Sequence, residues 1–424
     1  MLKNEAETLQ ATLNSLIPLR KIINLQIVAG VDRKSNDETY NIIKEHADVL
    51  FEFDFNDNFS EIRNQLIERS GGEWILISDG HEIWHDINKI AEILLKVPPG
   101  IDAIAFKLRM NPEEGGTVGQ QLRLFRNIEK VRYEGHVHNR LNIDTSGSLA
   151  TDLVWIYHDR AQKVRGERYR QRRKMLEERF IETLKVNPDD ARANYYLGTY
   201  YLSEAGTKDE NGSIIKQNEK IDKSKIDVSK VKKALKYLNH YISVSDFYEE
   251  IYLAKWYVAQ CHYVLGDVEK TKDVALDMFD QMLEMPFAQH VLGEIYLDKY
   301  KETKQQRMLT QSEFWFKNSI NKKTPFVSCF FPEAFFTWLP YERLAEIYSI
   351  AANNQPERIK DAIFTAEKTL SFNDFPETRK PALKHCLMQW KHIRGDYANT
   401  DCSRSRDREF DRVNTINISN SESF

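Results

Sequence analysis

Short apolar runs separated by polar turns fill the first 160 positions, and a different, helical spacing governs the remainder. Leu9, Leu13 and Leu16 recur on one helix face and stop at Pro18. Leu25 to Val31 reads as a strand running into Asp32, and Ser35, Asp37 and Thr39 are suited to starting a helix through His46. Val49 to Phe55 alternates as a strand does; Asn56, Asp57 and Ser60 then open a helix carrying Arg63 and Asn64. Trp74 to Ile77 follows a Gly71-Gly72 turn and is apolar throughout, which predicts a strand buried on both faces. Ile101 to Met110 predicts another strand, Asn111 to Gly119 a Gly-rich loop, and Leu122 to Phe125 with Val131 to Tyr133 a strand pair. Leu153 to Tyr157 is the last strand before His158. Alternating strands and helices predict an α/β domain over residues 1–160 with a mainly parallel sheet.

From Pro188 the pattern is all helical. Ala193, Leu197, Gly198 and Tyr201 recur as Ala288, Leu292, Gly293 and Tyr296. Ala254, Val258, Ala259 and His262 fit between them, and Ala254 to Ala288 is a shift of 34 residues. That is the tetratricopeptide period, whose small residues let paired helices approach. Leu344, Ala345 and Tyr348 form a less regular copy, and Leu265-Gly266-Asp267 reads as a turn between helices. A helical repeat domain is therefore expected over residues 161–397, with a polar insertion near 206–229 and a disordered tail at 398–424. Such arrays bind peptides, pair identical subunits or extend a core. The aromatic stretch Phe326 to Trp338 is expected to be packing.

Composition adds little to this. With 424 residues, 41% of them hydrophobic and a net charge of -4, the chain is an ordinary cytoplasmic protein by expectation, with no apolar run long enough to enter a membrane. Cys261, Cys329, Cys386 and Cys402 are widely spaced, which suits free thiols in a reducing compartment. One stretch departs from the average: Lys163 to Lys174 holds seven cations in twelve residues, opposed only by Glu167. A solvated helix start is the plain reading; a polyanionic acceptor such as DNA, or a diphosphate, is the functional one.

Candidate chemistry gathers after Trp74–Ile77, where Ser78, Asp79, Gly80, His81 and Glu82 follow the strand. The carboxyl ends of strands are where α/β sheets bind ligands, and a carboxylate there can hold a cation that holds a diphosphate. Around it stand Lys3-Asn4-Glu5, then Asp32 with Ser35, Asp37 and Thr39. Next come Asn56-Asp57 with Phe59-Ser60 and Arg63-Asn64, then Glu73 to Glu82. Arg123-Leu-Phe-Arg126, Gly135-His-Val-His138 and Tyr157-His158 complete the series. In this order the motifs resemble family 2 glycosyltransferases of the GT-A fold (a Rossmann-like α/β domain) that carry C-terminal tetratricopeptide repeats. The resemblance implies an inverting hexosyltransferase with a UDP-sugar donor and a divalent metal. It places Asn4, Glu5, Asp32, Ser35, Asp57, Arg63, Asp79 and Arg126 at the donor, and Asp79, His81 and His158 at the metal.

Two positions depart from the family. His81 stands where a second carboxylate is usual, and imidazole favours manganese over magnesium. Asn139 stands where the family has a glutamate base, which leaves Glu134, Glu82 and His138 as candidate bases. The family also places a strand ahead of Lys-Asn-Glu, so a segment upstream or a differently built sheet edge is expected. A peptide or protein is the expected acceptor, because repeat arrays suit peptides. A hydroxylated base in DNA is the alternative acceptor, and a non-catalytic repeat scaffold with a degenerate transferase domain is the alternative class.

Overall fold

The computed structural model describes residues 1–56, 58–110, 116–135, 140–143, 147–158, 167–206, 226–322 and 329–399. They divide into two units. The first takes residues 1–112, 116–161 and 326–331; the second takes 113–115, 162–325 and 332–424.

In the first unit, α1 (Ala6–Leu16) and α2 (Thr39–Lys44) accompany two parallel strands, β1 (Val28–Asp32) and β2 (Val49–Phe53). Leu2 bridges to Val31, and Leu2, Leu9 and Leu13 pack with Ala29, Val31 and Ile43 as one buried cluster. After α3 (Phe59–Glu68) come β3 (Trp74–Leu76), β4 (Glu82–His85), α4 (Ile90–Lys96), β5 (Ala103–Met110) and β6 (Thr117–Arg126). Two short strands follow, β7 (Tyr133–Glu134) and β8 (Arg140–Leu141), then β9 (Ser148–His158).

The sheet is mixed, which corrects the mainly parallel expectation. β1–β2 and β5–β9 run parallel, whereas β3–β6, β4–β9, β5–β6 and β7–β8 are antiparallel. β3 pairs with β6, and Trp74 and Leu76 are only half-buried, so the strand is not covered on both faces. A run of three residues carries no information about partner direction, and the Arg126 guanidinium over the Trp74 ring (4.5 Å) supplies cover that periodicity cannot reveal. Val131–Tyr133 does not pair with Leu122–Phe125; Tyr133 pairs with Leu141. Residues 117–119 belong to β6, whereas 111–115 of the expected loop lie outside the described residues.

One core layer lies on a single face of the sheet, with Phe106, Leu108, Leu124, Val154 and Ile156 facing Leu19, Ile87 and Ile90. The sheet also takes a strand from far along the chain: β10 (Phe331–Pro332) lies beside β6. Gly119 permits this approach, since a β-carbon there would stand 2.8 Å from the Cys329 carbonyl oxygen.

The second unit is helical. Among the described residues it comprises α5 (Glu167–Val186), α6 (Ala191–Glu204), α7 (Val228–Val244), α8 (Tyr248–Val264), α9 (Val268–Gln281), α10 (Phe287–Thr303) and α11 (Gln306–Ser319). α12 (Leu339–Ala351), α13 (Ile359–Leu370) and α14 (Lys380–Asn399) complete it. The repeated small residues fall on α6, α8, α10 and α12, each packed on the helix that follows. Their size matters: a β-carbon at Gly198 would stand 2.6 Å from Leu238 on α7, and one at Gly293 2.7 Å from the Phe316 ring on α11. Aspartates 190, 227 and 267 accept backbone N–H bonds at the starts of α6, α7 and α9. Gly266 takes φ +81° in the expected turn before α9. Phe335 stacks on Phe287 at 4.4 Å and Trp338 is buried, so these aromatics pack inward. Cys261 and Cys386 are buried free thiols, and Cys329 is buried as well. The tail from residue 400, the insertion at 207–225 and the side chains of Lys163–Arg173 lie outside the described residues. Among the described residues no helix is long and apolar enough to cross a membrane.

Candidate active site

The turn from Ser78 to His81 joins β3 to β4, and β4 runs antiparallel to the end of β9 with Glu82 directly opposite His158. This register brings together residues 77 positions apart: Nε2 of His81 and Nε2 of His158 stand 3.1 Å apart. Gly80 lets the turn pack closely between Asp79 and His81, since a β-carbon there would stand 2.7 Å from the Leu2 side chain and 3.1 Å from that of Glu5. Thr8 fastens the turn by donating to the Gly80 carbonyl at 2.8 Å.

Asp79 and Glu82 are neutralised by arginines. Glu82 is fully buried; its Oε2 accepts the Asp79 N–H at 2.9 Å and its Oε1 accepts from Arg123. Arg123 also reaches Asp79 Oδ2 at 3.4 Å, and Arg63 reaches Asp79 Oδ1 at 3.3 Å. Burial alone would raise the Asp79 pKa, but Arg123, then Arg63 and His81, hold it far below the carboxylate range. Burial disfavours charge on Arg123 too, and Glu82 and Asp79 reverse that effect, so its pKa is raised.

Arg63 ties this centre to β7. It donates to the Tyr133 hydroxyl at 3.3 Å and lies 4.9 Å from that ring's centroid. Asn64 pairs with both backbone groups of Tyr133, donating to its carbonyl at 3.0 Å and accepting its N–H at 2.9 Å. Ser60 donates to the Gly135 carbonyl at 2.5 Å. Glu134 lies exposed between these two clamps.

The N-terminal motifs fold onto each other. Asp32 is buried, with Oδ2 on Lys3 (2.7 Å) and Oδ1 accepting the Lys34 N–H (2.9 Å). Burial would raise its pKa, and these bonds lower it overall. Ser35, Asp37 and Thr39 serve the start of α1 across more than thirty residues: they accept the N–H groups of Asn4 (3.3 Å), Ala6 (3.1 Å) and Glu5 (2.7 Å). Only Asp37 also serves its own turn, accepting the Thr39 N–H at 3.0 Å. Asn4 adopts a left-handed φ of 53° and accepts the Asn36 N–H.

The structure thus gathers Glu5, Arg63, Asp79, His81, Glu82 and His158, and adds Arg123. Arg126 stands elsewhere, bonded to Glu73 at 3.0 Å and stacked over Trp74. Asp57, His138 and Asn139 lie outside the described residues. An arginine inside the apolar run Leu122-Arg123-Leu124-Phe125 is the signal that would have found Arg123, because a buried guanidinium needs carboxylate partners.

Among the described residues no group of three or more His, Cys, Asp or Glu side chains is placed to hold an ion. His81 and His158 are the pair that could hold one, and their 3.1 Å contact is also that of an imidazole–imidazole hydrogen bond. Neighbouring ligands on an ion bound at about 2.1 Å stand roughly 3.0 Å apart in octahedral and roughly 3.4 Å apart in tetrahedral geometry, close to the observed separation.

The stretch that holds most of this centre also matches known proteins. Residues 2–146 match Glycosyl transferase family 2. A TPR repeat-containing protein of Synechococcus elongatus is 31% identical over 143 residues, covering 32% of this chain and 33% of the relative. The matched part thus spans about a third of that curated relative's length. The N-terminal unit carries a family 2 glycosyltransferase domain.

Proposed function

We propose that the chain is an inverting glycosyltransferase that moves a sugar from a UDP-sugar to a peptide or protein side chain. The observation that carries this is the convergence of Asp79, His81 and two arginines inside the family 2 match with His158, which lies beyond it. Asp79 is held ionised beside guanidinium groups that also suit a nucleotide diphosphate. His81 and His158 would hold a divalent cation, manganese in preference to magnesium. When bound, that ion offsets the charge of the departing diphosphate.

In the transfer, the acceptor atom bonds to the anomeric carbon as the carbon–oxygen bond to UDP breaks, and a base takes the acceptor's proton. Glu82 is poorly placed for that, being buried with both oxygens engaged. Glu134 is exposed on β7 and takes the role, steadied by Ser60 and Asn64 on either side. The repeat unit recruits the acceptor. The sequence resemblance to peptide S-glycosyltransferases of the sublancin type favours a peptide over DNA.

The deciding experiment is calorimetry of UDP with Mn²⁺ against the wild type and Asp79→Ala. The variant should lose binding while keeping its fold; unchanged binding would refute the assignment, and no binding by either would favour a degenerate scaffold. Tight binding of modified DNA at physiological salt, rather than peptide, would overturn the acceptor class.

A further inference from the structure

Glu5 has a partner that the motif around it does not announce. Both of its carboxylate oxygens stand 3.2 Å from Nδ1 of His81, across 76 residues of sequence. The residue is held firmly at the start of α1. Its N–H donates to Thr39 Oγ1, its carbonyl accepts from the N–H groups of Thr8 and Leu9, and Thr8 Oγ1 donates to Oε2 at 3.3 Å. Gly80 keeps the His81 turn close against the Glu5 side chain.

A carboxylate only accepts hydrogen bonds, so the proton of a neutral His81 ring lies on Nδ1. The lone pair then lies on Nε2, the atom that faces Nε2 of His158. On the far side, His158 Nδ1 is buried without a hydrogen-bond partner among the described residues, 3.7 Å from Glu82 Oε1. The order along the row is carboxylate, imidazole, imidazole, carboxylate, with two Nε2 atoms in the middle. With His158 protonated on Nε2 the contact is an N–H···N hydrogen bond to His81; with His158 protonated on Nδ1, toward Glu82, both Nε2 atoms present lone pairs that a cation can share.

We propose that Glu5 is a positioning residue that fixes the Nδ1–H tautomer of His81 and so makes its Nε2 a cation ligand. This rests on the metal reading above, and it gives Glu5 a task separate from contact with the nucleotide. Carboxylates placed behind metal-bound histidines raise affinity about 10–100-fold.

The test measures Mn²⁺ and Co²⁺ affinity of the full chain by competition with a fluorescent chelator, with melting temperature as the check on folding. Glu5→Ala should weaken binding about 10–100-fold. Glu5→Gln should recover part of the loss, because an amide oxygen still accepts from Nδ1–H. In a His81→Asp background there is no tautomer to select, so Glu5→Ala should not weaken binding and, by removing a like charge, should tighten it. Wild-type affinity in Glu5→Ala, or an equal loss in both backgrounds, would overturn the role of Glu5 while leaving the metal site standing if His81→Ala abolishes binding. Failure of the wild type to bind either ion, with or without UDP, would overturn the metal reading itself and this inference with it.

Discussion

Each unit buries an arginine between two carboxylates, and the two settings differ in what surrounds the trio. In the helical unit Arg343 bonds Glu294 at 2.6 Å and Glu346 at 3.1 Å; Lys301 then takes Glu346 at 2.8 Å, and Arg379 takes the adjacent Glu342 at 2.8 Å. Cations answer anions throughout, and the result is a staple between α10 and α12. In the N-terminal unit Arg123 bonds Glu82 and Asp79 and Arg63 bonds Asp79 as well, but beyond these arginines the row continues in two imidazoles. The charge pattern there is left open to a ligand. Saturated ion networks hold helices together; unsaturated ones mark sites.

Arg343→Met and Arg123→Met should each cost about 3–5 kcal/mol in denaturant unfolding of their own unit, since each strands buried carboxylates. Only the second should also remove UDP binding. If Arg343→Met abolished donor binding with its fold intact, the contrast between the two networks would collapse. Gly293→Ala should follow, at about 1–3 kcal/mol, because the added carbon drives into the Phe316 ring. Ala259 occupies the matching place on α8, so the cost belongs to the helix pairs whose glycines meet Phe316 and Leu238 and not to every repeat.

Caps should show no contrast at all. Asn58 starts α3 and Asp190 starts α6, each accepting one N–H, and replacement of either by alanine should cost about 1 kcal/mol in thermal melts. A large inequality would mean that one of them does more than cap.

The smallest effect concerns pH. Burial, and then Arg343, push the His290 pKa well below its ordinary value, so the unfolded chain takes up that proton first. The stability this histidine allows is complete above about pH 6.5 and falls as pH drops below it. His290→Phe should flatten the decline in melting temperature of the helical unit between pH 7 and 5; an unchanged slope would assign it to other groups.

Local chemistry was readable from the chain, and distant pairing was not. The sequence reading correctly separated an α/β region from a helical array, found β1, β2, β3 and β5 within a few residues and placed the turn at Gly266, because these follow from periodicity and turn residues. It misread Ser35 and Thr39 as starters of the following helix, since the N–H groups they accept belong to residues 4 and 5. It missed β4, a four-residue strand with a charged first position, and with it the register that sets Glu82 against His158. Arg126 drew attention over Arg123 because both share one motif, and only β6 pairing shows which of them faces Asp79.

The β10 edge strand has a consequence for how the chain is made and cut. Cys329 and Phe331 divide with the N-terminal unit although about 170 residues of helical array precede them. During synthesis the sheet therefore stays one strand short until the array has largely emerged from the ribosome. A fragment ended near residue 160, or near 250, leaves the Gly119 stretch of β6 without this neighbour. Such an open edge templates pairing between chains, so truncated preparations should self-associate before they report on the transferase. A faithful minimal fragment needs residues 329–331 restored beside β6, by complementation with the missing piece or by circular permutation.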